Sequence, residues 1–326
     1  MADVFPTSNT APTDAMAKRR FELNRDVIRR TVMRRKLVDR LFAALGIICI
    51  LIGVVTLVVL LGDLVRQGYP RLTTHFMTSF PSRIASRAGI LSAWVGSLMV
   101  MLVTITTAVP LGIAAGVYLE EYAPKNRLTT FIEINISNLA GVPSIVYGLM
   151  ALGLFIYQLG MNRSVLAGGL TLACLILPIV IVATRESLRT IPLNIREAAF
   201  AMGASKWQVV SHHLLPYSAG GIATGVIIAT SRALGETAPL ITIGALTFIA
   251  FLPPLPVQSE FPFVSFQWLH DEFTVLPIQM FNWVSRPQEE FQANAAAAGL
   301  VLVLMTLSLN AVAIWIRYRM RRRIKW

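Results

Sequence analysis

Apolar runs alternate along the chain with shorter polar stretches, and the runs are long enough to cross a bilayer. They cover residues 41–61, 94–119, 130–159, 165–183, 217–251 and 293–316. At ~1.5 Å per residue, each can traverse a hydrocarbon core of ~30 Å with some tilt. The pattern predicts an all-α polytopic membrane protein with six transmembrane helices. Residues 1–40 read as a polar tail, helical around 21–36. Residues 62–89 and 252–291 are proline-containing loops on one side. Residues 120–127, 185–216 and 319–326 are polar segments on the other.

Composition supports this reading. Hydrophobic residues make up 55% of the chain and charged ones 14%, with a mean hydropathy of +0.63, the profile of a multi-span protein. A formal charge of +12 would suit nucleic acid, but its placement points elsewhere. With both termini inside, inner segments hold 22 of the 29 Lys and Arg: ten in 1–40, two in 120–129, four in 185–215 and six in 317–326. The positive-inside rule therefore puts the tail, the 185–216 loop and the C-terminus in the cytosol. The tail is too long and charged to open a cleaved signal peptide. The terminal basic run suits anionic membrane lipid, and nucleic acid is not needed to explain it. Cys49 and Cys174 fall inside apolar runs and read as packed thiols.

The loop before the fifth run has a defined local grammar. Pro192 suits the first turn of a helix. Glu197, Ala198, Ala199 and Met202 continue it, and Gly203 is placed to end it in the left-handed conformation. Ser205 with Gln208 three residues on forms a capping box for a second helix, and Pro216 restarts the chain as the next span begins. The result is a helix–Gly–helix elbow, which either lies free in solvent or is gripped by a partner.

The fifth run carries charge. Arg232 and Glu236 are four apart, on one face of a helix. Counted from Pro216, Arg232 is about 24 Å along the helix, near mid-bilayer. A charge there costs about 2.5–3.5 kcal/mol on insertion scales, so it faces protein or a water-filled path. Pro239 cannot donate to the carbonyl of Gly235, which loosens the backbone beside Glu236 and Thr237. Broken helices at this depth are where transporters handle polar solutes. Arginine offers a planar fork of donors to an oxyanion. A neighbouring glutamate repels a fully ionised anion but accepts a hydrogen bond from a protonated phosphate. The alternative is a pair that only neutralises itself within the bundle. In the third run Pro143 frees the carbonyl of Leu139, and Gly141 and Gly148 permit close helix contact. Glu133 reads as an acid held by a helix N-terminus. Asn135, Ser137 and Asn138 either line a path or bond between helices. Trp268 and Trp283 suit a membrane interface or a partner.

Several of these stretches resemble one family. Glu197-Ala198-Ala199, Gly203 and Leu215-Pro216 are similar to the EAA loop of bacterial ABC importer permeases, with His213 where that pattern usually has an apolar residue. The run from Arg232 to Pro239 resembles the signature of phosphate-type permeases, A subunit, as do Gly141–Gly148 and the stretch from Pro110 to Tyr122. The resemblance covers roughly residues 90–318. It implies the type I ABC importer permease fold with a cytoplasmic coupling helix, and makes Arg232, Glu236 and Thr237 the substrate pathway. Gly235, Pro239 and Pro143 become its helix breaks. Glu197, Ala198, Ala199, Gly203 and Pro216 become the ATPase coupling elbow. It further implies a homologous sister permease, two copies of a cytoplasmic ATPase that carries the ATP and Mg, an external phosphate-binding protein, and the bacterial inner membrane as location.

The chain has no Gly-x4-Gly-Lys-Ser/Thr loop, so it is not its own ATPase. No His/Cys/Asp/Glu cluster has metal spacing and no Gly-x-Ser-x-Gly occurs. His212 and His213 are adjacent and diverge on a helix. An importer permease for phosphate is the leading reading. The same machine for sulfate, molybdate or a phosphonate stands next, and a membrane-embedded enzyme or passive channel behind both.

Overall fold

The computed structural model describes residues 11–254 and 265–321. The chain divides into two units, 1–63 and 64–326. The first is one helix, the greater part of α1 (Ala11–Gly68). Its apolar window is long enough to cross a bilayer by itself. Cys49 is exposed there and is not the packed thiol expected.

Among its described residues the regular structure of the second unit is helical, with one isolated bridge between Ser164 and Glu272. Its helices are α2 (Thr74–Thr78), α3 (Leu91–Val117), α4 (Arg127–Leu139), α5 (Ser144–Ala151), α6 (Val165–Arg189), α7 (Leu193–Ala201), α8 (Lys206–Gly235), α9 (Ala238–Thr242), α10 (Leu276–Val284) and α11 (Glu290–Arg321). Side chains mark the starts. Asn126 accepts from the Thr129 N–H at 2.8 Å and Ser164 from the Ala167 N–H at 3.4 Å, satisfying donors that a helix leaves unpaired. Five described helices are long and apolar enough to cross a membrane, or six if the bent α4–α5 pair counts as one span.

The core lies where α3, α6 and α8 meet, around Val100, Leu172, Ile176, Val180 and Ala233. Small residues let these helices approach. Gly112 and Gly116 of α3 face Val180 and Thr184 of α6, and Gly225 of α8 faces Ala183. Between apolar helices in lipid, such contact replaces the hydrophobic drive that water would supply. A second cluster gathers Phe76, Ile90, Trp283, Phe291 and Ala297. Trp283 is fully buried, 5.9 Å from Phe76 and 6.4 Å from Phe291 between ring centroids, and Trp268 is 6% exposed. These tryptophans pin the 252–291 loop to the body and do not lie at an interface as expected, because their rings find aromatic and aliphatic partners inside. Residues 255–264 of that loop, with Pro256 and Glu260, fall outside the described residues, as do 1–10 and 322–326 of the termini.

Two spans depart from expectation. The third is broken, with its two halves bent by 107° around the Ala140–Pro143 turn. The fifth begins earlier and ends earlier than predicted. Helix runs unbroken from Lys206, through a wider π turn at Val209–Leu214, to Gly235. The π turn lies just ahead of Pro216, where the ring supplies no N–H, so the helix absorbs the proline instead of restarting there.

Candidate functional site

The end of α8 places the predicted pathway residues. Glu236 turns extended (φ −79°, ψ 129°), and Pro239 stands in the first turn of α9. The helix therefore stops at Gly235, and Arg232 sits in its last turn, not at its middle. Its Nε lies 3.3 Å from Glu236 Oε1, with side chains 38% and 17% exposed. Glu236 borders a narrow crevice with Ser97, Leu234 and Leu240. Ser231, one residue before the arginine, donates to Asn310 Oδ1 at 2.7 Å. That bond fixes the rotation of α8 about its axis and leaves Arg232 on the open side. Thr237 forms the entry to α9, its carbonyl accepting from the Ile241 N–H at 3.0 Å.

The two breaks meet. Pro143 opens α5, and the freed Leu139 carbonyl accepts from the Tyr147 hydroxyl at 2.8 Å and from the Val142 N–H at 3.1 Å. Gly148, next along, has no room for a side chain. A Cβ there would strike the Thr242 hydroxyl and come within 2.8 Å of the Pro239 backbone. So α9 rests directly on α5. Asn135 and Ser137, by contrast, bond to carbonyls of their own helix.

The elbow forms as its residues dictate. Gly203 has φ +83°, and both halves of the Ser205–Gln208 capping box are present. Ala199, Val209, Val210 and Leu214 pack beneath it with Val117 and Leu188. On top, Glu197, Ala198 and Gly203 are exposed, and Leu193, Phe200, Met202 and Trp207 are 48–89% exposed. An apolar, solvent-facing ridge around a helix this short has the character of a docking surface. His212 and His213 are exposed on the helix beyond the elbow.

Sequence reasoning missed the largest charged cluster among the described residues. Arg185, only 4% exposed, lies 2.7 Å from Glu133 and 3.5 Å from Glu120. Arg189 lies 2.9 Å from Glu120, 3.2 Å from Glu186 and 4.0 Å from Glu133. Arg196 of α7 donates to Glu121 at 2.7 Å and to the Leu188 carbonyl at 3.1 Å. Glu133 is thus held by an arginine across the helix boundary, not by a helix N-terminus. The available signal was the Arg185/Arg189 spacing of four beside the paired acids Glu120-Glu121.

Comparison with known proteins settles the family. The family described as "Binding-protein-dependent transport system inner membrane component" matches residues 108–326, and a domain of unknown function, DUF3333, matches residues 29–79. The chain belongs to the binding-protein-dependent transport inner membrane components. It is therefore a multi-pass membrane subunit of a transport system and not an enzyme. It is 34% identical over 215 residues to "Probable ABC transporter permease protein YqgI" of Bacillus subtilis, covering 66% of this chain and 73% of that one. It is 37% identical over 225 residues to "Phosphate transport system permease protein PstA" of Mycobacterium leprae, covering 67% and 72%. Against the protein of the same description from Haemophilus influenzae it is 33% identical over 241 residues, covering 74% and 85%. Among solved structures, the inward-facing MetNI methionine ABC transporter shares the fold of the permease, with TM-score 0.52 at 16% identity, covering 71% of this chain and 95% of that one.

Proposed function

We propose that this chain is the A-type permease subunit of an ATP-driven importer that carries inorganic phosphate into the bacterial cytoplasm. The observation that carries the reading is the Arg232–Glu236 pair, half open at the end of an otherwise apolar helix. Its chemistry fits an anion that still holds a proton: the guanidinium donates and the carboxylate accepts. Relatives described as phosphate permeases support that cargo. Arg232, Glu236 and Thr237 line the route, and the breaks at Gly235, Pro239 and Pro143 supply its loosened backbone. The exposed ridge around Glu197, Ala198 and Gly203, with buried Ala199 supporting it from beneath and Pro216 just behind it, docks into a cytoplasmic ATPase subunit that holds ATP and Mg.

The complex contains a sister permease and two ATPase copies, with both termini of this chain in the cytosol. The face around α10, where Phe281 and Val284 are 57% and 63% exposed, receives the external phosphate-binding protein. ATP-driven closure of the ATPases moves the elbow and opens the route to alternate sides, with no covalent change to phosphate. The test is uptake of labelled phosphate by the reconstituted complex, with ATP and with excess sulfate, molybdate or a phosphonate. Uptake that needs ATP and resists competition is expected. Competition by sulfate would reassign the cargo, and flux without ATP would overturn the importer.

A further inference from the structure

We infer that Glu121 and Arg196 form a positioning pair that fixes the coupling helix to the membrane core, and that the adjoining Glu120–Arg185–Glu133 bridges extend this link to the broken span. This deepens the phosphate-importer reading and rests on it. Arg196 precedes Glu197 directly, so it is part of the short helix α7 whose exposed ridge meets the ATPase. The apolar hold on α7 is slight. Of its nine residues only Ala199 is buried, and Ile195 packs half-buried against the same cluster. Arg196 adds the polar hold: its Nη2 bonds Glu121 Oε1 and the Leu188 carbonyl, with the Arg196 and Glu121 side chains 19% and 12% exposed.

The acid side of the pair is built for two partners. Glu120 and Glu121 share a single π turn, Tyr118–Tyr122, that continues α3. Such a wide turn splays successive side chains, and π turns concentrate at functional places in helices. Glu121 faces α7, while Glu120 faces Arg185 and Arg189 of α6. Lys206, the first residue of α8, lies 4.9 Å over the Tyr122 ring, so the same turn also touches the far arm of the elbow. From Arg185 the path continues at 2.7 Å to Glu133 on α4. Described contacts between α4 and the rest of its unit run chiefly to α6, and no α4 residue is buried. This bridge is thus the main polar hold on the half-span that leads into the Ala140–Pro143 turn. A displacement of α7 therefore pulls on the end of α3, and through it on the segment whose break abuts α9.

The pair is a positioning device, so its loss is read in coupling and not in assembly. In the reconstituted complex, phosphate moved per ATP hydrolysed is compared for wild type, Glu121→Gln, Arg196→Gln and the swap Glu121→Arg with Arg196→Glu. Each single change is expected to lower the ratio about tenfold, within the roughly 5- to 150-fold range of coupling between sites. ATP hydrolysis continues and the ATPase still co-purifies. The swap is expected to recover at least half the ratio. Unchanged ratios in both single variants overturn the proposal, as does a swap that combines both losses with no recovery. Should a single variant fail to assemble, assembly becomes the readout: rescue by the swap supports the pair, and no rescue overturns it. Absence of ATP-driven phosphate uptake in the wild type would instead strike the functional reading beneath.

Discussion

The Arg232–Glu236 pair and the cluster around Arg185 use the same side chains at different depths of burial and with different numbers of counter-charges. Arg185 is almost wholly buried, with carboxylates at 2.7 and 3.5 Å. Arg232 meets one carboxylate, through Nε alone, at 3.3 Å, and more than a third of its side chain is open. A guanidinium has five N–H donors, and among the described residues no acceptor other than Glu236 engages those of Arg232. A buried arginine flanked by two carboxylates has its charge spent on them, and removing it strands theirs. A half-open arginine with donors to spare can take an anion and release it. Position sharpens the contrast. The cluster ties the ends of α3 and α6 to the side of α4, whereas the pair stands where two broken segments meet.

Substitution at each arginine should separate the two roles. Arg232→Ala is expected to reduce phosphate uptake at least hundredfold while the complex still assembles. Its effect on stability should be small, since partly exposed ion pairs contribute about 0.2–1 kcal/mol. Near-normal uptake would remove Arg232 from the route. Arg185→Ala should behave in the reverse sense. It leaves Glu133, 28% exposed, without its 2.7 Å partner and Glu120, 18% exposed, with Arg189 alone. Breaking a buried pair by removing one member costs roughly 3–5 kcal/mol. A clear fall in the thermal transition of the detergent-solubilised complex is expected, and the fraction that stays folded should lose no more uptake than the coupling loss expected at Arg196, with its affinity for phosphate unchanged. If Arg185→Ala left that transition unmoved and abolished uptake, the two sites would have to exchange roles.

The sequence announced the elements better than their ends. Apolar runs located the spans because a bilayer allows few other uses for them. The elbow was legible to the residue, since Gly203 and the Ser205–Gln208 box are local devices that work wherever the chain places them. Helix continuity was harder to read. Pro216 looked like a start, yet a π turn absorbed it, whereas Pro143 looked like a kink and became a break of 107°. A proline removes one N–H in either case. Whether the helix bends or breaks depends on whether a neighbour satisfies the stranded carbonyl, and at Leu139 that neighbour is Tyr147. The Glu120–Arg185–Glu133 cluster was hidden for a related reason. Its members come from α3, α4 and α6 and their ends, and no periodicity within one segment shows that another segment supplies the counter-charge.

Smaller changes refine the open pair. Glu236→Gln keeps an amide oxygen that can still accept a hydrogen bond but removes the negative charge that repels a fully ionised anion. Uptake of phosphate should persist, and discrimination against sulfate should fall about tenfold, because one unfavourable charge interaction of about 1.4 kcal/mol corresponds to that factor. Unchanged selectivity, measured by competition in the same vesicles, would limit Glu236 to balancing Arg232.

The smallest effect is expected at Tyr147→Phe. The change removes one hydroxyl and nothing else, so the Leu139 carbonyl loses its 2.8 Å donor but keeps the Val142 N–H. A single neutral hydrogen bond of this kind contributes about 0.5–1.5 kcal/mol, a modest shift in the thermal transition. The informative measurement is uptake. If the break serves only to pack α5, uptake should stay near wild type, as for any small loss of stability. If the break positions α9, and with it the residues after Arg232, the apparent affinity for phosphate should weaken by a few-fold while the maximal rate holds. Gly148 makes the second outcome the expected one, because its bare backbone leaves no slack between α5 and α9 to absorb a shift at the turn.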